Sequence, residues 1–87
     1  MADPQRLIAN RLRRARGQLD AVIAAVEAGK ECRDVVTQLA AVAKALDRAG
    51  YAIVSSAMRE CVAVPEGERP RDAVTEDELE KLFLMLA

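Results

Sequence analysis

One stretch of the chain, from Cys32 to Cys61, constrains the fold more than any other. It contains no proline and a single glycine, Gly50, and its apolar residues recur at spacings of three and four. These apolar and small residues are Val35, Val36, Leu39, Val42, Ala43, Leu46, Gly50, Ile53, Val54 and Ala57. This spacing is typical of an amphipathic helix. The sequence therefore predicts one long central helix over about residues 31–62.

The two cysteines of the chain lie at the ends of this helix, 29 residues apart. This is about eight whole turns, so both thiols lie on one face, roughly 43 Å apart along the axis. A disulfide requires Cα atoms within about 7 Å, so the thiols of one continuous helix cannot meet. An identical antiparallel helix places Cys32 opposite the partner's Cys61, with small residues near the two-fold axis: Ala45, Ala49 and Gly50. Alternatively, both cysteines are small apolar residues of a packed face.

The composition indicates one small domain, residues 1–87, that gains stability by association. One Tyr, one Phe and no Trp leave an aliphatic, alanine-rich core, so we expect an obligate oligomer. No apolar run approaches the length of about 18 residues that a membrane span needs, and the start, MADPQR, lacks the apolar part of a signal peptide. We expect a cytoplasmic protein without membrane contact, whose cysteines serve redox or metal chemistry.

Charge is distributed unevenly along the chain, although the net charge is only −1. Residues 1–16 have a side-chain balance of +4, because five arginines accompany a single acid. These arginines are Arg6, Arg11, Arg13, Arg14 and Arg16. Residues 60–87, in contrast, have a balance of −5. The basic end predicts a polyanionic partner.

A first helix is expected over about residues 4–28. Asp3 is a good N-cap, Pro4 suits the first helical position, and Gly29 is typical of the residue just beyond a helix end. The apolar residues of this helix follow a seam like that of a coiled coil: Ile8, Leu12, Ala15, Leu19, Val22 and Val26. Its arginines lie outside the seam, on the solvent side.

A third, shorter helix is expected over about residues 75–86. It follows a polar turn segment, residues 65–73, and begins with a capping box formed by Thr75 and Glu78. Its apolar face consists of Leu79, Leu82, Phe83 and Leu86. No strand pattern is present in the sequence, so the predicted fold class is all-α, with three helices in each protomer.

The arginine-rich helix face predicts contact with nucleic acid. Basic side chains on a helix supply the phosphate contacts of DNA affinity, which are sensitive to salt and blind to sequence. No helix-turn-helix, zinc-finger or aromatic RNA-binding pattern accompanies them. Recognition therefore has to use another helical surface, and the alternative is an ordinary solvated helix face.

The cysteines favour thiol redox chemistry over a metal centre. The chain has no histidine, and a site shared by two chains offers two thiolates, which suits linear Cu(I) but not a four-ligand zinc site. Cys32 lies in the first turn of its helix beside Arg33, where the thiolate is favoured, whereas Cys61 lies in the last turn beside Glu60. This predicts Cys32 as the first reacting thiol and Cys61 as the resolving thiol. We expect no enzyme activity, because a sequence without histidine offers no Cys-His or Ser-His pair and no glycine-rich phosphate loop is present.

Several stretches together resemble the CsoR/RcnR/FrmR family of small all-helical bacterial repressors. They are RLRRARGQLDAV (11–22), Cys32 followed by Asp34-Val35, QLAAVAKALDRAG (38–50), and Cys61. The resemblance implies an antiparallel four-helix-bundle dimer, two of which form a disc-shaped tetramer that binds operator DNA. It assigns DNA contact to Arg11 and Arg48. It implies supporting roles for four further basic residues: Arg13, Arg14, Arg16 and Lys44.

The ligand positions of the family's metal sensors are altered here. Copper sensors of this family use Cys, His and Cys, and the histidine position is Ala57 in this chain. The residue before the first cysteine, often Tyr in those sensors, is Glu31. Two cysteines without histidine are similar to the CstR branch, which senses persulfides by linking its cysteines across the dimer.

Together with the resemblance, from which the tetramer is taken, the sequence predicts a homotetrameric, DNA-binding repressor that responds to reactive sulfur species and carries no cofactor. In this hypothesis, Cys32 and the partner's Cys61 become linked, and the link releases operator DNA. Two alternatives remain open at this point. One is a repressor that binds Cu(I) with the same two thiolates, and the other is a helical adaptor with inert cysteines and no DNA partner.

Overall fold

Three α-helices make up most of the structure, a computed structural model that describes residues 3–87 and, at Glu66, only the backbone. Their bounds are α1, Pro4–Glu27; α2, Cys32–Ala63; and α3, Glu76–Leu86. A short 3₁₀ turn, Glu66–Glu68, lies in the polar segment before α3. No strand occurs among residues 3–87, so the predicted all-α class is confirmed. The single domain over 1–87 stays a prediction, and residues 1 and 2 lie outside the described part.

Both ends of α1 are fixed by capping interactions that the sequence signals. The Asp3 side chain accepts a hydrogen bond from the backbone N–H of Gln5 (3.1 Å). At the other end, Gly29 has a φ of 69° and donates its backbone N–H to the carbonyl of Val26 (3.1 Å). The backbone N–H of Lys30 reaches the carbonyl of Ala25 (3.0 Å), which completes a Schellman motif. The positive φ explains why a glycine occupies this position.

Two glycine-to-alanine substitutions in this segment are expected to change stability in opposite directions. Gly29→Ala forces an L-residue into the left-handed region and should lower the free energy of unfolding by about 1–2 kcal/mol. Gly17→Ala, inside α1 with no atom near the added methyl group, should raise it by about 0.5–1 kcal/mol. Urea unfolding at one fixed protein concentration checks both variants. Equal effects of the two substitutions would contradict the role assigned to Gly29.

The chain divides at Gly50 into two compact units. In the first unit, α1 and the first part of α2 bury small aliphatic residues: Ala15, Val22, Ala25, Val42 and Ala49. The apolar seam predicted for α1 is only partly buried in the protomer, because Leu12, Leu19 and Val26 are 39–59% exposed. A single neighbouring helix covers only one side of such a seam, so its other side remains on the surface.

The second unit, Gly50–Ala87, consists of the end of α2, the polar segment and α3. Its core contains Val54, Cys61 and Leu79, with Ala57 and Val74 packed against them. The predicted apolar face of α3 is therefore only partly buried, since Leu79 lies in the core while its other members are at least 36% exposed: Leu82, Phe83 and Leu86.

The start of α3 has the predicted cap. The Thr75 hydroxyl accepts a hydrogen bond from the backbone N–H of Glu78 (3.1 Å) and donates to the Glu78 carboxylate (3.3 Å). Three acidic residues occupy the first turn, where the helix dipole favours negative charge: Glu76, Asp77 and Glu78. These local interactions fix where α3 begins, and Leu79 follows them directly.

Candidate functional site

Cys32 is the first residue of α2, and its side chain is exposed and free. The position in the first helical turn agrees with the sequence prediction. The first backbone N–H groups of a helix have no partner within the helix and create a positive end. An exposed thiol at this end can be reached by a small sulfur donor or by a metal ion from solution.

Cys61, in contrast, is buried, with 5% of its surface exposed. It lies two residues before the end of α2, in the core that Val54 and Leu79 form. The sequence places both thiols on one face of a long helix but does not reveal that α3 covers one of them. The two thiols therefore differ in access within the protomer, and this difference adds to the expected difference in reactivity.

Arg69 holds the end of α2 next to Cys61, a role that the sequence did not predict. Its Nη2 donates a hydrogen bond to the backbone carbonyl of Cys61 (2.6 Å), and its Nε donates to the carbonyl of Val64 (3.1 Å). The last carbonyls of a helix lack partners within the helix, so a partly buried guanidinium here acts as a cap. The only sequence signal for this cap is an arginine a few residues after the helix-ending Pro65.

All six residues predicted to contact DNA are exposed and lie in the first unit: Arg11, Arg13, Arg14, Arg16, Lys44 and Arg48. Four of them belong to α1, and Arg13 donates a hydrogen bond to the Asn10 side chain (2.9 Å). Lys44 and Arg48 lie one turn apart on α2. The structure leaves these basic side chains available for an anionic partner, and their roles stay predictions.

Comparison with known proteins identifies the family. A family model described as "Metal-sensitive transcriptional repressor" matches residues 5–85, nearly the whole chain. The chain belongs to the metal-sensitive transcriptional repressor family, also called CsoR/RcnR. The predicted family is thus confirmed, and it consists of transcriptional regulators rather than enzymes, as expected.

Two curated relatives are similar to this member of the repressor family. The "Copper-sensing transcriptional repressor CsoR" of Mycobacterium ulcerans (strain Agy99) is 38% identical over 61 residues, which cover 70% of this chain and 52% of that protein. The chain therefore matches about half the length of this relative. "Uncharacterized protein YrkD" of Bacillus subtilis (strain 168) is 47% identical over 53 residues, covering 59% of this chain and 84% of YrkD. No solved structure matches the chain.

This repressor family member has few side chains that could bind a metal ion together. Among the side chains that the structure describes, those of residues 3–65 and 67–87, no three or more of His, Cys, Asp or Glu come together in a group that could hold a metal ion. Ala57, at the position that the resemblance assigns to a ligand histidine in copper sensors, packs against the core around Cys61 and offers no donor atom. The residues present could supply two thiolates to a soft cation such as Cu(I), one from each of two chains.

Across the part of the chain that the structure describes, no helix of this repressor family member combines the length and the apolar character that a membrane crossing requires.

Proposed function

We propose that the chain is a DNA-binding repressor whose signal is reactive sulfur, detected by linking Cys32 to the partner's Cys61. The observation that carries this proposal is the placement of the only two cysteines at opposite ends of one uninterrupted helix, in a chain without histidine. The family supplies the regulatory class, and the thiol pair supplies the chemistry. The persulfide signal and the branch of the family are part of the proposal.

The continuity of α2 supports a link between chains. The helix contains 32 residues, so at about 1.5 Å per residue its two ends are far beyond the 7 Å or so that a disulfide tolerates. Both cysteines are free in the single chain. Two antiparallel copies related by a two-fold axis near Leu46 and Asp47 would form two equivalent Cys32–Cys61 pairs.

Exposed apolar residues support a self-associating protein. Leu12, Leu19 and Val26 recur every seven residues along α1, and all three are exposed. A second exposed set has the same spacing on α2: Leu39, Leu46 and Ile53. Apolar surface at this spacing is typical of helices that pack against further helices. A homodimer, and the homotetramer that the family resemblance implies, would cover both sets.

The chemistry needs only a sulfur donor and the two thiols. The Cys32 thiolate attacks the outer sulfur of a persulfide, R–S–SH, so that Cys32–S–SH forms and R–S⁻ leaves. The partner's Cys61 thiolate then attacks the Cys32 sulfur, and HS⁻ leaves. The two thiols are oxidised to a disulfide, and the transferred sulfur is reduced to sulfide. If a second sulfur is transferred first, attack on the middle sulfur leaves a trisulfide and again releases HS⁻.

Linking the helix ends would change DNA affinity through the basic residues of the same helices. A covalent link fixes the relative position of two protomers, and with it the spacing of their arginine faces. A coupling free energy of about 1–3 kcal/mol between the two sites would weaken operator binding roughly 5–150-fold. This range sets the size of the effect that an experiment has to resolve.

The experiment that tests the proposal measures DNA affinity in two chemical states of the protein. A duplex selected by the reduced protein from a random-sequence pool serves as the operator. Polysulfide treatment should weaken its binding by about 5–150-fold, and dithiothreitol should restore it. Unchanged affinity after complete reaction of both thiols would contradict the proposal.

A second candidate function is a Cu(I)-responsive repressor, favoured by the similarity to the copper-sensing relative. Our proposal predicts that stoichiometric Cu(I), added under anaerobic conditions with a competing chelator present, changes operator affinity by less than about twofold. Two thiolates without a third donor should hold the ion less tightly than a complete site, and they should lose it to the chelator. Tight stoichiometric binding with DNA release, abolished in the Cys32→Ser variant, would instead establish the copper sensor.

A further inference from the structure

Part of the cover over Cys61 comes from α3. Leu79, which belongs to the first turns of α3, is 3% exposed and packs in one core with Cys61 and Val54. Val74, just before the helix, packs against the same core. The thiol of Cys61 is therefore shielded by a helix that follows it in the chain.

Further contacts show that α3 follows α2 well beyond Cys61. A methyl group added at Gly50 would lie 2.9 Å from Cδ2 of Leu86, near the end of α3. Between these ends, the rings of Tyr51 and Phe83 pack with their centroids 5.6 Å apart. The sequence pattern favours Gly50 as a point of close approach between two copies, but the protomer uses it to accommodate its own α3.

The residues beneath α3 form one stripe on α2, because Gly50, Val54, Ala57 and Cys61 follow one another at spacings of four, three and four. The proposed link requires a second sulfur about 2.05 Å from the Cys61 sulfur, or a transferred sulfur atom at that distance. Formation of this bond needs open space over the stripe, so that the second sulfur can approach the Cys61 sulfur. Leu79 packs in the same core as Cys61 and would have to move to open that space, so docking of α3 competes with linkage of Cys61.

We propose that α3 is a gate on the Cys61 thiol: Cys61 reacts only when α3 has left the stripe on α2, and linkage keeps α3 displaced. This inference rests on the proposed function for its biological meaning, but the gate itself is a property of the protomer. The covalent step is the one described above and requires no further reactant. While α3 is docked on α2, the gate makes Cys61 slow to react with any thiol reagent.

The structure also indicates how such a gate opens. Arg69 fixes the chain to the carbonyls of Cys61 and Val64, so in the proposed gate the part that moves begins after this anchor. An isolated helix of 11 residues is marginal in water, and α3 is held mainly through one side of its surface. Its other side is open, with Leu84 63% and Met85 80% exposed. Local opening of a short, one-sided helix costs less than global unfolding.

Alkylation of Cys61 in the full-length Cys32→Ser protein tests the gate. N-ethylmaleimide should modify Cys61 at least about tenfold more slowly in the native protein than in urea, because reaction requires local opening. Leu79→Ala should accelerate the native reaction by at least about tenfold. The reason is that loss of a buried leucine side chain shifts the equilibrium between docked and open α3 by more than about tenfold. Leu79→Met keeps the volume and should stay close to the unsubstituted rate.

A matched control variant is available on the same helix. Leu84→Ala removes the same atoms from an exposed position and should change the rate by less than about twofold. Circular dichroism confirms that each variant retains its α2 helix. Two results would overturn the gate: native Cys61 reacting as fast as in urea, or Leu79→Ala accelerating the reaction no more than Leu84→Ala.

Polysulfide treatment of proteins that retain both cysteines separates this inference from the proposed function. Faster formation of the covalent dimer in Leu79→Ala than in Leu84→Ala supports the gate and the function together. Accelerated alkylation without any covalent dimer supports the gate and contradicts the reactive-sulfur function. Equal rates of dimer formation in the two variants, together with equal rates of alkylation, contradict the gate and leave the function standing.

Discussion

Replacing Cys61 with serine is expected to leave operator binding by the reduced protein unchanged and to abolish the loss of binding on polysulfide treatment. The reason is chemical, because a hydroxyl cannot resolve the Cys32 persulfide, so no bond forms between protomers. Persulfide on Cys32 alone leaves the two helix ends free to move. The change of roughly 5–150-fold expected for the unsubstituted protein should therefore disappear.

The measurement is a titration of the selected duplex with treated and untreated protein. Val62→Ser serves as a matched control, because it places a serine at an exposed position next to Cys61 and retains both thiols. This control should still lose DNA after treatment. If Cys61→Ser also released DNA, modification of Cys32 alone would be sufficient and the two-cysteine link would not be the switch.

Removing a basic side chain from the predicted DNA surface is expected to weaken operator binding by about tenfold or more for each substitution. A charge-assisted hydrogen bond contributes about 1.5–3 kcal/mol, and 1.4 kcal/mol corresponds to about tenfold in affinity. The side chains predicted to bind phosphate are Arg11 on α1 and Arg48 on α2, both exposed. Each substitution that frees a phosphate should also reduce the slope of log K against log salt by about 0.9.

The measurement compares Arg11→Ala and Arg48→Ala with Arg59→Ala over a series of salt concentrations. Arg59 is an exposed arginine of α2 whose Nε donates to the backbone carbonyl of Ser55 (3.4 Å), and it lies outside the predicted DNA surface. Arg59→Ala removes the same charge and should change affinity by less than about threefold. Equally weakened binding in all three variants would mean that net charge, and not a defined surface, supports binding.

The helices and their ends were predictable because their signals are local. Asp3 and Thr75 cap helix starts through hydrogen bonds within three residues, and Gly29 adopts a positive φ where the chain leaves α1. The periodic spacing of apolar residues along α2 likewise identifies a helix face without knowledge of the rest of the chain.

What covers each face was not predictable, because periodicity shows that a face is apolar but not which element packs on it. In the second unit, α3 covers Val54 and Cys61, and Leu86 fills the space at Gly50. In the first unit, Leu39 and Leu46 remain exposed although they belong to the same pattern. The hydrogen bond from Arg69 to the Cys61 carbonyl depends on the path of an irregular segment, which no short-range pattern specifies.

In the proposed function the chemistry belongs to the two thiols, because the sequence contains no histidine and the ends of α2 are too far apart for the thiols of one chain to meet. The structure adds that one thiol is exposed and the other is covered. In the proposed mechanism, this combination would separate capture of the signal, at Cys32, from formation of the link, at Cys61. Such a regulator would keep its DNA affinity when a reagent modifies only the exposed Cys32 thiol and leaves no group that Cys61 can displace.

The most direct test of this account is the intact mass of the protein under denaturing, non-reducing conditions after the reduced protein has been treated with polysulfide. We expect a covalent dimer whose mass corresponds to two chains with either direct disulfides or additional whole sulfur atoms, and which dithiothreitol returns to monomer. A monomer that carries sulfur on Cys32 but no link to a second chain would contradict the cross-protomer switch.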